Sequence, residues 1–154
     1  MVTQFTWETK LFSRKFEIYQ YMKLVGELKK EGLSRKTTGE MNGKNYIFTT
    51  KGFFKHETMI TEPDNDTVLA TISFKALKSK ATINYNEKEY RWQFDNFFHT
   101  KWSINNVNGP LIKYHSKNLK GTIDSYSDDE LLVLAGFFIR NYEKQKSSEA
   151  AAAS

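Results

Sequence analysis

Residues 127–146, SDDELLVLAGFFIRNYEKQK, contain the stretch that decides the fold. Positions 131–139 form an unbroken apolar run, LLVLAGFFI, so that no face of a helix there is polar. A helix on a protein surface has one apolar stripe, whereas a helix that is apolar on every side must be enclosed. The run is about half of the ~20 residues that a membrane span needs. We therefore predict a helix over residues 127–146 that is buried within the protein itself.

Several signals mark the start of this helix. Ser127 and Glu130 have the S-x-x-E spacing of a capping box, in which each side chain bonds the other residue's free backbone N–H. Asp128 and Asp129 add negative charge at the positive end of the helix macrodipole. Gly136 lies in the middle of the run, where glycine costs about 1 kcal/mol relative to alanine. We therefore predict that a strand or a bulky ring of the surrounding wall approaches the helix closely at Gly136.

The chain before the helix is typical of short β-strands. Turn signals recur about every 8 to 12 residues, as in antiparallel sandwiches and barrels. Asn42-Gly43 is the strongest of these signals, because both residues tolerate the left-handed conformation of a tight hairpin. The predicted strands cover residues 5–12, 16–21, 24–30, 33–41, 44–50, 58–61, 67–74, 80–85, 89–94, 100–107, 111–116 and 119–126.

An open sheet of about a dozen antiparallel strands would have two unpaired edges, and a barrel made from that many strands would have a wide interior. Closure into a barrel removes the edges, but side chains alone fill the interior of only about eight strands. A helix with its side chains is about 10 Å across, and some known β-barrels have their interior filled by a central helix. We predict a mostly β protein with one domain, residues 1–146: a closed antiparallel barrel of about twelve strands around the hydrophobic C-terminal helix. Residues 147–154 are predicted to be a disordered tail, and we interpret the final AAAS as a remnant of cloning.

Two segments resemble a known family. They are DDELLVLA at residues 128–135 and FEIYQYMKLVGELKK at residues 16–30. Together with the order of the strands, they look like the tubby C-terminal-like fold, and within it the LURP-one-related proteins and the phospholipid scramblases. The likeness spans residues 10–142. It implies a twelve-stranded barrel around a central helix and no enzymatic activity.

The resemblance assigns no binding residue to this chain. Tubby proteins bind phosphoinositides through basic residues of the barrel wall, but no basic motif here matches theirs. The scramblases carry cysteine clusters for lipidation and an acidic calcium-binding segment. This chain has no cysteine and no segment that matches the acidic one, which disfavours scrambling and lipid anchoring.

Composition narrows the function classes further. Without cysteine, disulfides, thiolate chemistry and Cys-based zinc sites are excluded. The N-terminus lacks the pattern of a signal peptide, so we expect a cytoplasmic protein. The formal net charge is +5, which permits attraction to anionic membranes or nucleic acid but is also ordinary for a soluble domain. No G-x-S-x-G motif and no phosphate-binding glycine loop occurs, so we expect neither enzymatic activity nor a cofactor.

Paired basic residues are the candidate site for anionic lipid. The first four are predicted to lie near one hairpin end, and the last two to form a second cluster. Near a membrane, each Lys or Arg contributes about 1 kcal/mol of attraction to anionic headgroups. The alternative is a solvated hairpin end whose lysines prevent edge pairing. The candidate residues are Lys29, Lys30, Arg35, Lys36, Lys78 and Lys80.

An aromatic cluster invites a nucleic-acid hypothesis, because bases stack on exposed rings beside Lys and Arg. The cluster consists of Tyr90, Trp92, Phe94, Phe97, Phe98 and Trp102. The first three share one face of a predicted strand, which is typical of a barrel core, so nucleic-acid binding is disfavoured. Phe97-Phe98 and Phe53-Phe54 fall in predicted turns. If exposed, they are candidates for contact with a membrane or a protein partner.

Two further motifs are weaker. Asp64-Asn65-Asp66 looks like the start of a calcium loop, but it lacks the glycine and the downstream glutamate of an EF-hand, and a turn explains it better. The histidines His56, His99 and His115 are isolated in sequence and match no metal-binding pattern. We therefore expect no metal site.

These observations favour a cytoplasmic, non-enzymatic barrel, peripheral to the membrane, that binds through its outer surface. The predicted partner is an anionic phospholipid or phosphoinositide surface, and a protein partner is the next candidate. One alternative is a lipocalin-like carrier of small apolar ligands, which needs an open lumen. Another is a protein-interaction module of the pleckstrin-homology type, with seven strands and a capping helix.

Overall fold

A computed structural model describes residues 1–31, 35–51, 57–75 and 78–153 of the protein, with side chains up to residue 148. Twelve strands are followed by one helix, α1 (Glu130–Ala153). The strands are β1 (Thr3–Thr9), β2 (Lys15–Gln20), β3 (Lys23–Lys30), β4 (Lys36–Met41), β5 (Lys44–Lys51), β6 (Glu57–Thr61), β7 (Val68–Phe74), β8 (Lys80–Tyr85), β9 (Lys88–Phe94), β10 (Lys101–Asn106), β11 (Gly109–Lys117) and β12 (Lys120–Ser125).

The strands form a closed barrel with a simple up-and-down order. Each strand pairs antiparallel with its neighbours in the chain, and β1 pairs with β12 to close the wall. Along β8, for example, Ala81 and Ile83 are buried while Lys80 and Asn84 are exposed, the alternation that a wall with one inner face requires. The predicted fold class, a closed antiparallel barrel of about twelve strands, is confirmed.

Helix α1 fills the barrel. Every residue from 131 to 140 is buried. The Trp92 indole Nε1–H of β9 donates to the Gly136 carbonyl oxygen at 3.0 Å, and the Tyr114 hydroxyl of β11 donates to the Val133 carbonyl oxygen at 2.9 Å. A Cβ atom at Gly136 would lie 2.6 Å from Tyr114 Cζ. The predictions of an enclosed helix and of a close ring at Gly136 are both confirmed.

The helix begins later than predicted, and a different residue caps it. The Leu131 N–H donates to Asp129 Oδ1 at 3.1 Å, and the Val133 N–H donates to the Asp129 carbonyl oxygen at 3.3 Å. Asp129 is therefore the N-cap, and the capping box predicted for Ser127 and Glu130 is wrong. The Ser127 hydroxyl instead accepts the Asp129 N–H at 3.1 Å, and the Glu130 carboxylate pairs with a lysine of β5 at 3.5 Å.

Both ends of every strand lie within three residues of the prediction, whereas the helix starts three residues later and ends seven residues later than predicted. The strand predicted over residues 5–12 ends at Thr9, because Phe12 adopts a left-handed conformation (φ 63°) in the following turn. Residues 33 and 34, at the start of the predicted 33–41 strand, lie outside the described residues. The helix predicted to end at 146 continues to Ala153. Within the described residues, no helix has the length and hydropathy to cross a membrane.

Candidate anionic-surface binding site

The two ends of the barrel differ in charge. Because neighbouring strands run in opposite directions, every second connection lies at the same end. At one end, Lys44 Nζ lies 3.5 Å from the Glu130 carboxylate, beside the start of α1. At the other end, Lys30 Nζ donates to Gln145 Oε1 at 2.9 Å, near the exit of α1 from the barrel.

We define the basic end as the connections β1–β2, β3–β4, β5–β6, β7–β8, β9–β10 and β11–β12, with the strand residue on either side of each. Among its described residues, thirteen are Lys or Arg and three, Glu31, Glu57 and Asp95, are acidic. The thirteen are Lys10, Arg14, Lys15, Lys30, Arg35, Lys36, Lys51, Lys75, Lys78, Lys80, Lys101, Lys117 and Lys120.

The acidic end consists of the remaining connections between strands, again with the strand residue on either side of each, and the segment from β12 to the first residue of α1. It carries seven acidic and three basic residues. The acidic ones are Glu62, Asp64, Asp66, Glu87, Asp128, Asp129 and Glu130, and the basic ones are Lys23, Lys44 and Lys88. The modest net charge of the chain therefore conceals a strong separation of charge along the barrel axis.

Tyrosines at the acidic end respond to this negative charge. Burial raises the pKa of Tyr46 to about 12, and the carboxylates of Glu130, Asp129 and Glu62 add to the effect. Burial likewise raises the pKa of Tyr85 to about 12, with a further contribution from its hydrogen bond to Asp129. Nearby anions oppose the ionisation of a phenol and so act in the same direction as burial.

Three of the first four candidates, Lys30, Arg35 and Lys36, belong to the basic end, and Lys29 is the strand residue just before it. Lys29 and Lys30 end β3, and Arg35 and Lys36 precede or begin β4. Lys29, Arg35 and Lys36 are exposed. Lys30 is half-buried, and its hydrogen bond to α1 places it at the opening of the barrel rather than on the outer wall.

Lys78 and Lys80 form a second group at the same end. Both are exposed, and they belong to the β7–β8 connection. In the barrel order, β5 and β6 separate this group from the β3–β4 connection. The candidate residues thus occupy two places on one rim, not one continuous patch.

Six of the thirteen basic residues of this end were missed by searching for paired basic residues. Lys10, Lys51, Lys75 and Lys101 stand alone in the sequence and carry no pair signal. A different signal would have found them. Once an up-and-down barrel is predicted, charges summed over alternate connections give the charge of each end.

Large apolar side chains are exposed at the basic end as well. Phe12 in the β1–β2 connection is 96% exposed, and Phe97 and Phe98 in the β9–β10 connection are 89% and 82% exposed. The Phe97 and Phe98 rings contact each other edge to face at 5.5 Å. Leu11, next to Phe12, is also exposed. The predicted turn position of Phe97-Phe98 is confirmed, whereas Phe53-Phe54 lies outside the described residues.

The rest of the aromatic cluster belongs to the core. Trp92 and Trp102 are buried, and Tyr90 and Phe94 pack against the core as partly buried residues. Phe94 stacks on the His99 ring at 4.0 Å. These rings are therefore not available to stack with bases.

The weaker motifs form ordinary structure. Asn65 Oδ1 accepts the Thr67 N–H at 3.0 Å within the β6–β7 turn, as predicted for a turn. His99 stacks on a ring, His115 lies in β11, and His56 is not among the described residues. Across the described ranges, no group of three or more His, Cys, Asp or Glu residues is arranged to hold a metal ion.

Comparisons with protein-family models, curated proteins and solved structures gave no match to this chain. The tubby-like resemblance therefore stays a prediction.

Proposed function

We propose that the protein binds anionic phospholipid surfaces, phosphoinositides included, through its basic end. The observation that carries the proposal is the concentration of thirteen Lys and Arg residues against three acidic residues among the described residues of this end. Each Lys or Arg close to an anionic leaflet contributes about 1 kcal/mol of attraction. The acidic end would be repelled by the same surface, so the charge pattern also selects one orientation of the barrel.

The exposed apolar side chains support a membrane over other anionic partners. Leu11, Phe12, Phe97 and Phe98 are at the tips of two connections among the basic residues. Apolar tips in such positions can enter the boundary between headgroups and acyl chains, while lysines remain among the headgroups. Single-stranded nucleic acid binds instead along a groove with successive stacking platforms. Leu11, which is aliphatic, offers no stacking surface.

Two structural explanations account for only part of the charge pattern. Lysines at strand ends can prevent edge-to-edge pairing, but every strand here already has a partner on both sides. Charges can also complement a helix macrodipole, negative at its N-terminus and positive at its C-terminus. That effect is confined to the terminal turns of α1, whereas the thirteen basic residues lie on strand connections.

The fold also bears on the alternative functions. Helix α1 occupies the barrel axis, where a lipocalin-like carrier would hold its ligand, and residues 131–140 are buried against the wall. A pleckstrin-homology module has seven strands, whereas this barrel has twelve. The geometry therefore favours binding through a surface.

Charge reversal at the basic end tests the proposal. We expect the double variant Lys78→Glu, Lys80→Glu to bind vesicles containing phosphatidylserine at least tenfold more weakly at low salt, since two attractions of about 1 kcal/mol each are lost. Co-sedimentation with the vesicles measures the partition coefficient. Binding of the unaltered protein should also weaken as salt is added, because salt screens exposed charges, and should be absent with phosphatidylcholine alone.

The matched control is Lys23→Glu, Lys88→Glu, which makes the same change of net charge with two exposed lysines at the acidic end. We expect it to retain nearly all binding. Equal loss in both double variants would show that net charge alone matters and would contradict the proposal. Vesicle binding that is insensitive to salt and to lipid charge would do the same.

A second prediction concerns the apolar tips. Phe12 and Met22 form a matched pair, since both are 96% exposed and both are left-handed, with φ of 63° and 65°. Phe12 lies at the basic end and Met22 at the acidic end. Full burial of a phenylalanine side chain is worth about 1.5–3 kcal/mol, so we expect Phe12→Ser to reduce vesicle partitioning about tenfold.

Met22→Ser should leave vesicle partitioning unchanged, and neither substitution should alter thermal stability much because both side chains are exposed. The same sedimentation assay measures both. If Phe12→Ser binds like the unaltered protein, insertion of this tip is wrong and binding is electrostatic alone.

A further inference from the structure

Arg140 is a buried cation without an anionic partner. It is the last residue of the buried run of α1, and 6% of it is exposed. One guanidinium nitrogen donates to Asn141 Oδ1 at 3.1 Å. Its Nε is buried and has no hydrogen-bond acceptor within the part of the chain that the structure describes. None of the ion pairs between described residues includes Arg140.

Two neighbouring indole rings, whose centres are 6.4 Å apart, both lie next to the guanidinium. Its central carbon lies 5.5 Å from the centre of the Trp7 ring and 5.2 Å from the centre of the Trp102 ring. The Trp102 ring is itself fixed by parallel stacking on Tyr114 at 5.4 Å. Cation–π attraction of about 0.5–2 kcal/mol offsets only part of the cost of burying a charge. The arrangement holds Arg140 in place but does not neutralise it.

Trp102 contributes a second donor without an acceptor. Its Nε1–H is buried, and no acceptor is found for it among the described residues. The other two tryptophans differ, because Trp7 Nε1 donates to the His115 carbonyl oxygen at 3.1 Å and Trp92 Nε1 donates to Gly136. Buried donors are nearly always paired. Two exceptions beside each other indicate a missing acceptor.

Two ionisable side chains, Glu143 and Lys144, lie within about one helical turn of Arg140 on α1. The buried Glu143 carboxylate pairs with Lys146 at 2.9 Å, and no ion pair between described residues joins it to Arg140. Burial lowers the pKa of the Arg140 guanidinium to about 10. Burial also lowers the pKa of the Lys144 amine, and the charge of Arg140, one helical turn before it, adds to this. An anion placed here would stabilise both cations.

We propose that Arg140 and Trp102 form a binding site for a small oxyanion, a carboxylate or a phosphate group, where α1 leaves the barrel at the basic end. Guanidinium donors fit the oxygens of either group, and the bond is charge-assisted. The indole Nε1–H can only donate, so it also requires an acceptor. The anion can be a free ion or the headgroup of a lipid, and the site does not depend on membrane binding.

Titration with inorganic phosphate and with acetate, each against sodium chloride of equal ionic strength, tests the site. The Trp7 and Trp102 rings lie next to Arg140, so tryptophan fluorescence should change and reach saturation as the anion binds. The thermal midpoint should rise with phosphate or acetate but not with chloride. Arg140→Met should abolish both responses. Trp102→Phe keeps a ring but removes the donor, so we expect about tenfold weaker binding. The smaller ring also leaves a cavity in the core, so we expect some loss of basal stability, and the comparison between variants uses affinity.

Trp92→Phe is the matched control. It removes an indole donor that already has an acceptor, Gly136. We expect it to lower basal stability while the affinity for phosphate stays unchanged. An equal loss of affinity in Trp92→Phe and Trp102→Phe would overturn the assignment, and so would a phosphate response that survives in Arg140→Met.

A further experiment distinguishes a free anion from the headgroup of a lipid. A response to inorganic phosphate alone assigns a free ion, whereas a response only to vesicles of phosphatidic acid, lost in Arg140→Met, assigns a headgroup. If phosphate, acetate and these vesicles all fail to give an Arg140-dependent response, the site is refuted. Sedimentation of Arg140→Met with anionic vesicles is recorded separately, so failure of this site and failure of membrane binding by the basic end can be told apart.

Discussion

Gly136→Ala is expected to destabilise the protein, although alanine is the better helix former. A Cβ atom at this position would lie 2.6 Å from Tyr114 Cζ, inside the contact distance of two carbon atoms. Overpacking a core costs about 1–3 kcal/mol and sometimes more, against a helix-propensity gain of about 1 kcal/mol. Contacts this short place Gly136→Ala at the upper end of the overpacking range. We therefore expect a net loss of about 2 kcal/mol in the free energy of unfolding, or roughly 4–8 °C in thermal midpoint for a chain of this size.

The sign of the change is the informative part of this measurement. Chemical denaturation of the single variants Gly136→Ala and Tyr114→Phe and of the double variant gives their coupling. Removing the Tyr114 hydroxyl relieves part of the clash, so the two effects should not add, with an interaction of about 0.5–3 kcal/mol. If Gly136→Ala raises stability, the helix is not enclosed by the wall as described.

Gly121→Ala is expected to lower the free energy of unfolding by a comparable or larger amount, because of a clash within the barrel wall itself. The Trp7 indole crosses over Gly121 of β12 and donates its Nε1–H to the His115 carbonyl oxygen of β11 at 3.1 Å. A methyl group at residue 121 would overlap that carbonyl oxygen and lie 2.7 Å from Trp7 Nε1. Because a backbone carbonyl cannot rotate away, we expect a loss at the upper end of the about 1–3 kcal/mol range for overpacking, or beyond it.

Thermal and chemical denaturation measure this loss, and Thr122→Ala is the control. Thr122 is the next residue of β12 and is exposed on the outer face, so its truncation should change stability by no more than about 0.5 kcal/mol. The Gly121 variant should also weaken the phosphate response at Arg140, since it displaces one of the two flanking rings. Unchanged stability in Gly121→Ala would contradict the position of Trp7.

The fold was predictable because its main signals are local and agree with each other. The apolar run of α1 shows that the helix is enclosed by the barrel. The Asn42-Gly43 turn, with φ of 52° and 82°, has the left-handed conformation that its composition predicts. Tyr21 and Met22 adopt the same conformation without a glycine, so turn composition alone did not mark that hairpin. The N-cap was predicted wrongly because serine and aspartate, at 127 and 129, are both good N-cap residues. The choice between them depends on where β12 ends and the helix can begin.

The candidate site was only partly predictable, because its residues are brought together by topology. Pairs such as Arg35-Lys36 are visible in the sequence. Single residues such as Lys75 and Lys117 can be assigned to the basic end only when the order of the strands is known, because alternate connections lie at the same end of the barrel. Arg140 was invisible for another reason. In a helix that runs on into polar sequence, an arginine after the apolar run predicts the start of a solvated face, and only the fold brings it into contact with the Trp7 and Trp102 rings.

The opposite charges of the two barrel ends affect the orientation and rate of association with a negative surface as well as the affinity. A body with cations at one pole and anions at the other has a large dipole moment, so the field of a negative surface exerts a torque that turns the cationic pole forward before contact. Such steering raises the rate of productive encounters and fades as salt shortens the reach of the field, from about 30 Å at 0.01 M to about 8 Å at 0.15 M. Association should therefore slow with ionic strength even where equilibrium binding is still strong.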